Sequence, residues 1–371
     1  MNILVYAPQM AAFGGMERHV CDLSAVLASR GHAVTLLTTS NSLAAELRGR
    51  LEAAGVELRE LARNRGKAGR LRKGLWLLRE AMRSEHTRWD LIYTNGQSAL
   101  ARLVWFAARP HTRIVHHHHT AADAGEQATW SGAFRRVLKQ APELVACSEA
   151  TRRGLGAALQ REDVRFLPYL TSSPVAGVGV QDRLYAPDAH LHFGFMGRLV
   201  AEKGIQRICD LSRLPDLADI TWHIHGAGAA FPPSVFEAYP NVIYHGAYTA
   251  GSRQAAILES LDALVLFSTH NEGMPLSLIE AMAAGLPWIA TDRGGTREMA
   301  VSAENCVVVD HPATLDALAA AVRELAARIR RGSTSREEQR RTYDLFFSPP
   351  VVTEAWCSYL EAREPVLQET R

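Results

Sequence analysis

The chain has 371 residues, too many for one ordinary hydrophobic core, so its length predicts two domains. Its 47% apolar and 22% charged residues are typical of a globular protein, and no apolar run approaches the roughly 18 residues of a membrane-spanning helix. The net charge of +2 is uneven: residues 1–170 hold 24 Lys and Arg against 15 Asp and Glu, which points to an anionic partner for this half.

Strand-like apolar runs alternate with helix-like amphipathic runs from the start of the chain. The predicted strand and helix pairs are Ile3–Ala7 with Glu17–Ser29, His32–Thr39 with Leu43–Ala53, Asp90–Asn95 with Gln97–Ala107, Arg113–His118 with Gly132–Gln140, and Leu144–Ser148 with Glu149–Leu159. Apolar strands separated by helices are typical of a parallel sheet that is covered on both faces. In such sheets, ligands bind at the carboxyl ends of the strands.

A proline- and glycine-rich stretch, Leu167–Pro187, predicts a linker, after which the alternation restarts. The second set comprises strands His192–Met196, Ile220–His225, Val242–His245, Ala263–Phe267, Trp288–Thr291 and Cys306–Val309, with helices Gly204–Ser212, Arg253–Ser260, Leu276–Ala284 and Ala313–Arg330. A last helix, Val351–Ala362, is predicted after a stop at Pro349-Pro350. The pattern predicts an α/β protein of two Rossmann-like, doubly wound domains that face a central cleft.

Two carboxylates, Glu272 and Glu280, flank a strand-to-helix junction that carries the strongest functional signal. Gly273 and Pro275 mark the loop, and the helix is predicted to begin at about Leu276. A helix N-terminus offers unpaired N–H groups and a partial positive charge, so the junction suits an anion. Carboxylates on either side of it predict a ligand with both phosphate and hydroxyl groups.

A second junction, Gly197–Gly204, carries the cations Arg198 and Lys203. Two fixed cations beside a helix N-terminus can hold a diphosphate, and the alternative is a surface ion pair with Glu202. The chain has no Asp-X-Asp triplet, the usual means of holding a sugar diphosphate through a metal. We therefore expect the two cations and the helix termini to neutralise the phosphates.

Two glycine pairs lie at further predicted strand-to-helix turns. Gly14-Gly15-Met16-Glu17 follows the first strand, and Gly294-Gly295 lies in the segment Asp292–Glu298. Glycine allows a ligand to approach the backbone closely, but a plain tight turn has the same composition. The first pair, Gly14-Gly15, does not form a GxGxxG fingerprint, which argues against a nicotinamide cofactor.

Four consecutive histidines, His116–His119, end an inner strand. Alternation along a strand sends neighbours to opposite faces, so at most two of the four share a side. No cysteine or carboxylate at ligand spacing accompanies them, and we expect no metal there. We expect one or both of His118 and His119 to face the cleft as hydrogen-bonding groups, and the earlier histidines to be packed.

A basic segment carries six Lys or Arg between residues 63 and 73 and no acidic residue from 61 to 79. Leu71, Leu75, Leu78 and Met82 fall on one helical face, with Trp76 beside it. A basic amphipathic helix of this kind can lie on an anionic membrane surface. The alternative is a helix that covers the sheet and has a solvated basic face. The segment does not match a known nucleic-acid-binding module.

Several of these motifs follow one another in the order found in one enzyme family. They are Gly14–Glu17, the histidine-ended strand before Thr120, Ala146–Arg152, Gly197-Arg198 with Lys203-Gly204, Glu272–Glu280 and Gly294–Glu298. Over nearly its whole length the chain resembles glycosyltransferase family 4, whose members are retaining, nucleotide-sugar-dependent enzymes with the two-domain GT-B fold. The resemblance implies that the last helix crosses back to the N-terminal domain.

The resemblance also implies roles for particular residues. Arg198 and Lys203 would hold the donor diphosphate, and Glu272 would bond hydroxyls of the donor sugar. His118 or His119 would contact that sugar. The other implied donor-binding residues are Gly15, Gly226, Ala247, Gly273, Met274, Leu276 and Glu280, the last of them on the ribose.

Gly14 and Glu17 would bind the acceptor. The sequence departs from the family at Leu167–Thr171, where many members have a Pro-Asn-Gly-Val segment. The expected domains are an acceptor-binding domain over residues 1–170, a donor-binding domain over residues 171–348 and the returning helix over residues 349–371.

The expected function is transfer of a sugar from a UDP- or GDP-sugar to a lipid-linked or polysaccharide acceptor, in the synthesis of lipopolysaccharide, capsule or glycolipid. A nucleotide-sugar epimerase or sugar phosphorylase of the same fold is an enzymatic alternative, and a non-catalytic sugar-nucleotide-binding scaffold is another. No metal or other cofactor is expected, and the nucleotide sugar is a substrate.

Five scattered cysteines, and a first strand at Met1–Ala7 where a signal peptide would lie, predict a cytoplasmic protein. The basic segment adds peripheral contact with the inner face of the cytoplasmic membrane.

Overall fold

The computed structural model describes residues 1–10, 14–39, 43–61, 66–83, 88–172, 175, 179–270 and 272–362. Parts of the predicted linker, at 173–174 and 176–178, and Arg63 and Arg65 of the basic segment lie outside the described residues. The chain divides into two compact units: Met1–Thr171 with Pro349–Arg371, the N-terminal unit, and Ser172–Ser348, the C-terminal unit.

The N-terminal unit is built on a parallel sheet in the order β3-β2-β1-β4-β5-β6-β7. Its strands are β1 (Asn2–Tyr6), β2 (Ala33–Thr39), β3 (Glu57–Leu61), β4 (Leu91–Asn95), β5 (Arg113–His118), β6 (Glu143–Ala146) and β7 (Arg165–Phe166). Its helices before the linker are α1 (Gly15–Ser29), α2 (Ala45–Ala53), α3 (Gly66–Met82), α4 (Ala101–Trp105), α5 (Ala124–Thr129), α6 (Gly132–Gln140) and α7 (Glu149–Leu159).

Alternation along β1 shows why both faces of this sheet are covered. Ile3 and Val5 enter one buried cluster, and Leu4 and Tyr6 enter the cluster on the opposite face. All four are almost fully buried, so the strand is apolar on both sides.

The C-terminal unit has a second parallel sheet, in the order β10-β9-β8-β11-β12-β13. Its strands are β8 (Leu191–Met196), β9 (Ile220–His225), β10 (Val242–Gly246), β11 (Ala263–Leu266), β12 (Trp288–Thr291) and β13 (Cys306–Val309). Its α-helices are α8 (Ile205–Leu211), α9 (Ser252–Ser260), α10 (Leu276–Ala283), α11 (Leu315–Arg330) and α12 (Arg336–Phe346). The strand order reverses between β8 and β11, and such a switch point is where α/β sheets bind ligands.

The last helix, α13 (Pro349–Glu361), belongs to the N-terminal unit, as the resemblance implied. Trp356 is fully buried in the cluster around Ile3, and its indole N–H donates to the carbonyl of Pro168 at 2.8 Å. Arg113 donates to three carbonyls at the end of the helix, those of residues 359, 360 and 362. The helix is thus anchored at its apolar face and at its C-terminus.

Several predicted boundaries were wrong. The helix after β4 begins at Ala101, four residues later than expected. Pro349 and Pro350 are the first residues of α13 and do not precede it as a stop. Proline is tolerated there because the N–H groups of a first helical turn have no intrahelical acceptor. Strand β3 and helix α12 were missed because both are rich in charged residues. Within the described residues, no helix is long and apolar enough to cross a membrane.

Candidate active site

In the C-terminal unit, the predicted functional loops meet at the carboxyl edge of the sheet. Lys203 lies in a 3₁₀ turn after β8, and Glu272 lies in the loop between β11 and α10. Lys203 Nζ donates to Glu272 Oε1, and Ser268 Oγ donates to the same oxygen at 2.8 Å. The Glu272 side chain is 9% exposed and that of Lys203 is 19% exposed. The predicted cation and carboxylate therefore form one half-buried pair.

The carbonyl of Glu202 holds these two loops together. It accepts hydrogen bonds from the backbone N–H of Thr269 at 2.7 Å, from that of His270 at 3.2 Å and from Ser268 Oγ at 3.0 Å. Because Glu202 immediately precedes Lys203, this junction fixes the lysine relative to Glu272. Glu202 does not form the ion pair with Lys203 that was weighed as the alternative, since Lys203 pairs with Glu272.

Two glycines allow the loops to approach each other this closely. Gly204 has φ +76°, and a Cβ there would lie 2.2 Å from the carbonyl oxygen of Phe267. Gly226, at the end of β9, has φ +151°, and a Cβ there would lie 1.8 Å from the carbonyl oxygen of Gly197. A side chain at either position would push apart loops that carry predicted donor-binding residues.

Helix α10 presents its N-terminus to the same edge. It begins at Leu276, as predicted, and follows the buried residues Gly273 and Met274. Glu280 lies one turn into the helix and is 5% exposed. The first N–H groups of a helix have no intrahelical acceptor, so this end is suited to an anion.

The remaining predicted residues of this unit lie on loops that follow the strands of the same sheet. Arg198 is exposed on the loop after β8. The Gly294-Gly295 turn joins the Glu272 loop, because Gly295 N–H donates to the carbonyl of Gly273 at 2.8 Å. Ala247 is exposed directly after β10.

In the N-terminal unit, the Gly-Gly motif opens helix α1. Gly15 is the first helical residue, and Gly14 is the N-cap in extended conformation. Glu17 lies in the first turn, where the positive end of the helix dipole stabilises its carboxylate. A Cβ on Gly14 would lie 2.2 Å from Glu17 Oε2, so a side chain at residue 14 would displace this carboxylate. The three residues are adjacent, and their contacts with donor or acceptor stay predictions.

The four histidines alternate between two environments, as predicted. His116 and His118 lie beside Phe134, whereas the rings of His117 and His119 are 3.9 Å apart on the other side. Burial lowers the pKa of His116 to about 3 and holds that of His119 well below its ordinary value, so both rings are neutral near pH 7.

The sequence left open which of His118 and His119 faces outward. His118 is fully buried between aromatic rings, and its Nε2 lies 3.0 Å from Glu126 Oε1 and 3.1 Å from Thr120 Oγ1. His119 is 8% exposed and stacks on Tyr169. Of the two, His119 is the better placed to meet a ligand, since His118 is fully buried and its Nε2 is engaged by Glu126 and Thr120.

Sequence reasoning missed two polar residues that support these positions. Ser268 holds Glu272, and Glu126 organises the polar group around His118. Burial alone would raise the pKa of Glu126, but hydrogen bonds from His118, Thr120 and Trp130 outweigh it and lower the pKa to about 2. Ser268 directly follows the predicted strand Ala263–Phe267, at the strand end where such sheets bind ligands, whereas no sequence pattern singled out Glu126.

Two family models match the chain and together span most of it. "Glycosyltransferase Family 4" matches residues 13–168, and "Glycosyl transferases group 1" matches residues 190–328. The chain is also similar to a GDP-mannose-dependent alpha-mannosyltransferase of Mycolicibacterium smegmatis, with 33% identity over 40% of this chain and 38% of that enzyme. This match therefore spans less than half of the relative's length.

Longer matches are weaker. A D-inositol 3-phosphate glycosyltransferase of Xylanimonas cellulosilytica is 25% identical over 88% of each chain. The structure of Anabaena HepE in complex with UDP has a TM-score of 0.74 at 18% identity, covering 97% of this chain and all of that one. The lipopolysaccharide outer core galactosyltransferase WaaB has a TM-score of 0.72 at 18% identity, covering 98% and 100%. These two likenesses show a shared fold.

Proposed function

Because this chain belongs to glycosyltransferase family 4 and has the GT-B fold, we propose that it transfers a sugar from a UDP- or GDP-sugar to a lipid-linked or polysaccharide acceptor. The observation that carries the proposal is the half-buried pair of Lys203 and Glu272, which lies at the carboxyl edge of the sheet on the same loop system as Arg198. The N-terminus of α10 adds backbone donors at that edge.

Such a site must first stabilise the leaving diphosphate. Breaking the bond between the anomeric carbon and the diphosphate places negative charge on the phosphate oxygens. Lys203 has three N–H donors, of which Glu272 engages one, so the others can reach a phosphate. Arg198 can add a two-pronged contact, and the helix terminus adds a partial positive charge. Preorganised charges of this kind are the main source of catalysis where charge develops.

Glu272 suits the sugar rather than a proton relay. Its carboxylate is held by Lys203 and Ser268, and one of its two oxygens takes both of these contacts. The other oxygen can accept hydrogen bonds from sugar hydroxyls and stabilise positive charge on the ring. We assign Glu280 the ribose hydroxyls on the opposite side of the α10 N-terminus.

We propose that the anomeric configuration is retained and that no metal is needed. As the bond to the leaving diphosphate breaks, the acceptor oxygen bonds to the anomeric carbon from the same face. The acceptor proton passes to a diphosphate oxygen, so no protein nucleophile or base is required. Arg198, Lys203 and the helix terminus take the charge-neutralising role that a cation has in other sugar-transfer sites.

A thermal-shift series with nucleotide sugars tests donor binding. UDP-glucose or GDP-mannose, added at about 100 times its dissociation constant, should raise the melting temperature by about 5 °C or more, because a ligand that binds only the folded state stabilises it by mass action. The free sugar and inorganic phosphate serve as controls and should have little effect. An unchanged melting temperature across the UDP- and GDP-sugars would contradict the proposal.

The acceptor is proposed to lie at a membrane surface, and helix α3 supports this. Leu71, Leu75 and Met82 are 68%, 61% and 62% exposed, while Leu77 and Ala81 on the opposite face are fully buried. Arg70 and Arg72 are among the exposed basic residues beside the leucines. The helix covers the sheet with one face and turns a second apolar stripe outward. An outward apolar stripe with basic flanks complements an anionic lipid surface.

Liposome binding tests this surface. The double variant Leu71→Gln/Leu75→Gln should bind anionic vesicles about tenfold or more weakly, because two side chains that enter the lipid interface become polar. Arg70→Gln/Arg72→Gln should weaken binding at low salt and less at high salt. Leu345→Gln, which changes an equally exposed leucine of the C-terminal unit, is the matched control. Equal partitioning of all variants would make α3 an ordinary covering helix.

A further inference from the structure

Three histidines of the C-terminal unit converge at one edge of its sheet. They are His223 and His225 on β9 and His245 on the edge strand β10, and their ligand nitrogens all lie within 4.8 Å of one another. Alternation places His223 and His225 on the same face of β9. The convergence is not visible in the sequence, since the strands are separated by the residues between 225 and 242.

The third histidine, His245, lies at a β-bulge of the edge strand. The register of β10 against β9 shifts between Tyr244 and Gly246, so that His245 is the additional residue of the bulge. Bulges commonly re-aim a side chain at a sheet edge or beside a functional site. Because Ile243 pairs with His223, alternation along β10 already places His245 on the face of His223 and His225, and the bulge is a local irregularity at this position.

A fourth histidine orients the first. His223 Nδ1 faces His245 Nε2 at 2.9 Å, and His223 Nε2 faces His192 Nδ1 at 2.9 Å. One nitrogen of His223 therefore points into the cluster, and the other is held from behind. Metal-binding histidines have this arrangement, in which the second ring nitrogen is fixed by a hydrogen bond.

We infer that His223, His225 and His245 form a binding site for a divalent transition-metal ion, with zinc as the best match. Three neutral imidazoles form a common zinc ligand set, and the fourth tetrahedral position stays open to water or another ligand. Zinc bonds of about 2.0–2.1 Å would separate the nitrogens by about 3.4 Å, so the rings would rotate to bring nitrogens that now lie within 4.8 Å of one another closer together. The stacked rings of His225 and His245, now 4.2 Å apart, would tilt towards the ion.

Two electrostatic effects act on the cluster: one favours a bound cation and the other opposes it. Burial lowers the pKa of His225 to about 3 and that of His223 to about 4, so both rings are in the neutral form that binds metals. Arg253 is near enough to lower the pKa of His225 and His245 further, and its charge opposes a cation. Its side chain is exposed and can swing into solvent.

None of the three histidines is among the diphosphate contacts proposed above, although His225 directly precedes the predicted donor-binding residue Gly226. His225 pairs with Met196 in the sheet, two residues before Arg198, so the ion would lie at the same carboxyl edge. Sugar transfer as proposed does not require the ion, and the two proposals fail independently. Without metal, the rings of His192, His223 and His245 form a hydrogen-bonded chain, which is the alternative role of the cluster.

The test uses the full chain without an affinity tag. Zinc should raise the melting temperature in a concentration-dependent way, and one equivalent of Co²⁺ should give the strong visible absorption of four-coordinate cobalt. His245→Gln and His225→Gln should abolish both effects, and His192→Gln should weaken binding about 10-fold or more. His190→Gln, which changes a neighbouring ring outside the cluster, should bind normally.

His245→Gln decides the matter if the buried His225 variant fails to fold, because residue 245 is exposed on the edge strand. Wild-type protein that binds no cobalt, or His245→Gln protein that binds it equally well, would show that the histidines form only the hydrogen-bonded chain.

Discussion

Lys203→Met should lower kcat for sugar transfer by about 100–1000-fold, the usual loss when one preorganised donor to developing charge is removed. Of the two predicted phosphate-binding cations, Lys203 is held by Glu272 and by the carbonyl of Glu202 that precedes it, whereas Arg198 is exposed. Methionine keeps the length of the side chain and removes its charge. Steady-state kinetics with a saturating donor would show the loss in kcat, and Lys139→Met, at an exposed lysine, should leave kcat unchanged.

Stability has to be separated from catalysis in that experiment. Without Lys203, the buried carboxylate of Glu272 loses its partner cation, which costs on the order of 3 kcal/mol. The double variant Lys203→Met/Glu272→Gln removes both charges and should recover most of the melting temperature while staying inactive. Recovery of activity together with stability would mean that Lys203 acts only in folding.

Glu272→Gln should also abolish most transfer, but because the donor sugar, rather than the leaving diphosphate, loses a stabilising contact. Glutamine keeps the shape and the hydrogen bond with Ser268, and it removes the negative charge beside the sugar ring. We expect kcat to fall by about 100-fold or more while the affinity for the bare nucleoside diphosphate changes little. Titration calorimetry with UDP or GDP, alongside kinetics with the matching donor, would separate the two quantities.

Glu280→Gln is the matched comparison on the other side of the α10 N-terminus. Its proposed partner is the ribose, which does not react, so its loss should raise KM more than it lowers kcat. If Glu272→Gln and Glu280→Gln both raise KM and leave kcat unchanged, the assignment of Glu272 to the reacting sugar and of Glu280 to the ribose would be contradicted.

The sequence predicted that Lys203 and Glu272 lie at the same edge of the sheet, because both follow apolar strands of a parallel sheet and such strands end at a common edge. It did not predict their pairing, which depends on β8 and β11 being neighbours in the sheet. The alternation of the histidine strand was predictable for the same kind of reason. The burial of His118 was not predictable. Alternation gives the face of the sheet on which His118 lies, but it cannot show that Trp130, Phe134 and Glu126 enclose the ring.

Contacts that depend on the backbone, or on several strands at once, lay beyond sequence reasoning. The carbonyl of Glu202 joins two loops whatever its side chain is. The cluster of His223, His225 and His245 needs β9 and β10 to be neighbours in the sheet, and that strand order has no sequence signature here. Charged elements such as β3 and α12 were missed because their apolar periodicity is weak.

Product analysis with a radiolabelled donor tests the central claim most directly. Wild-type enzyme, the donor that gives the largest thermal shift and membrane glycolipid acceptors should yield a labelled glycoconjugate and an equal amount of nucleoside diphosphate, with retained anomeric configuration. An epimerised nucleotide sugar from donor alone, a sugar phosphate formed only when phosphate is added, or donor binding with no turnover would each contradict the account, and would identify an epimerase, a phosphorylase or a scaffold.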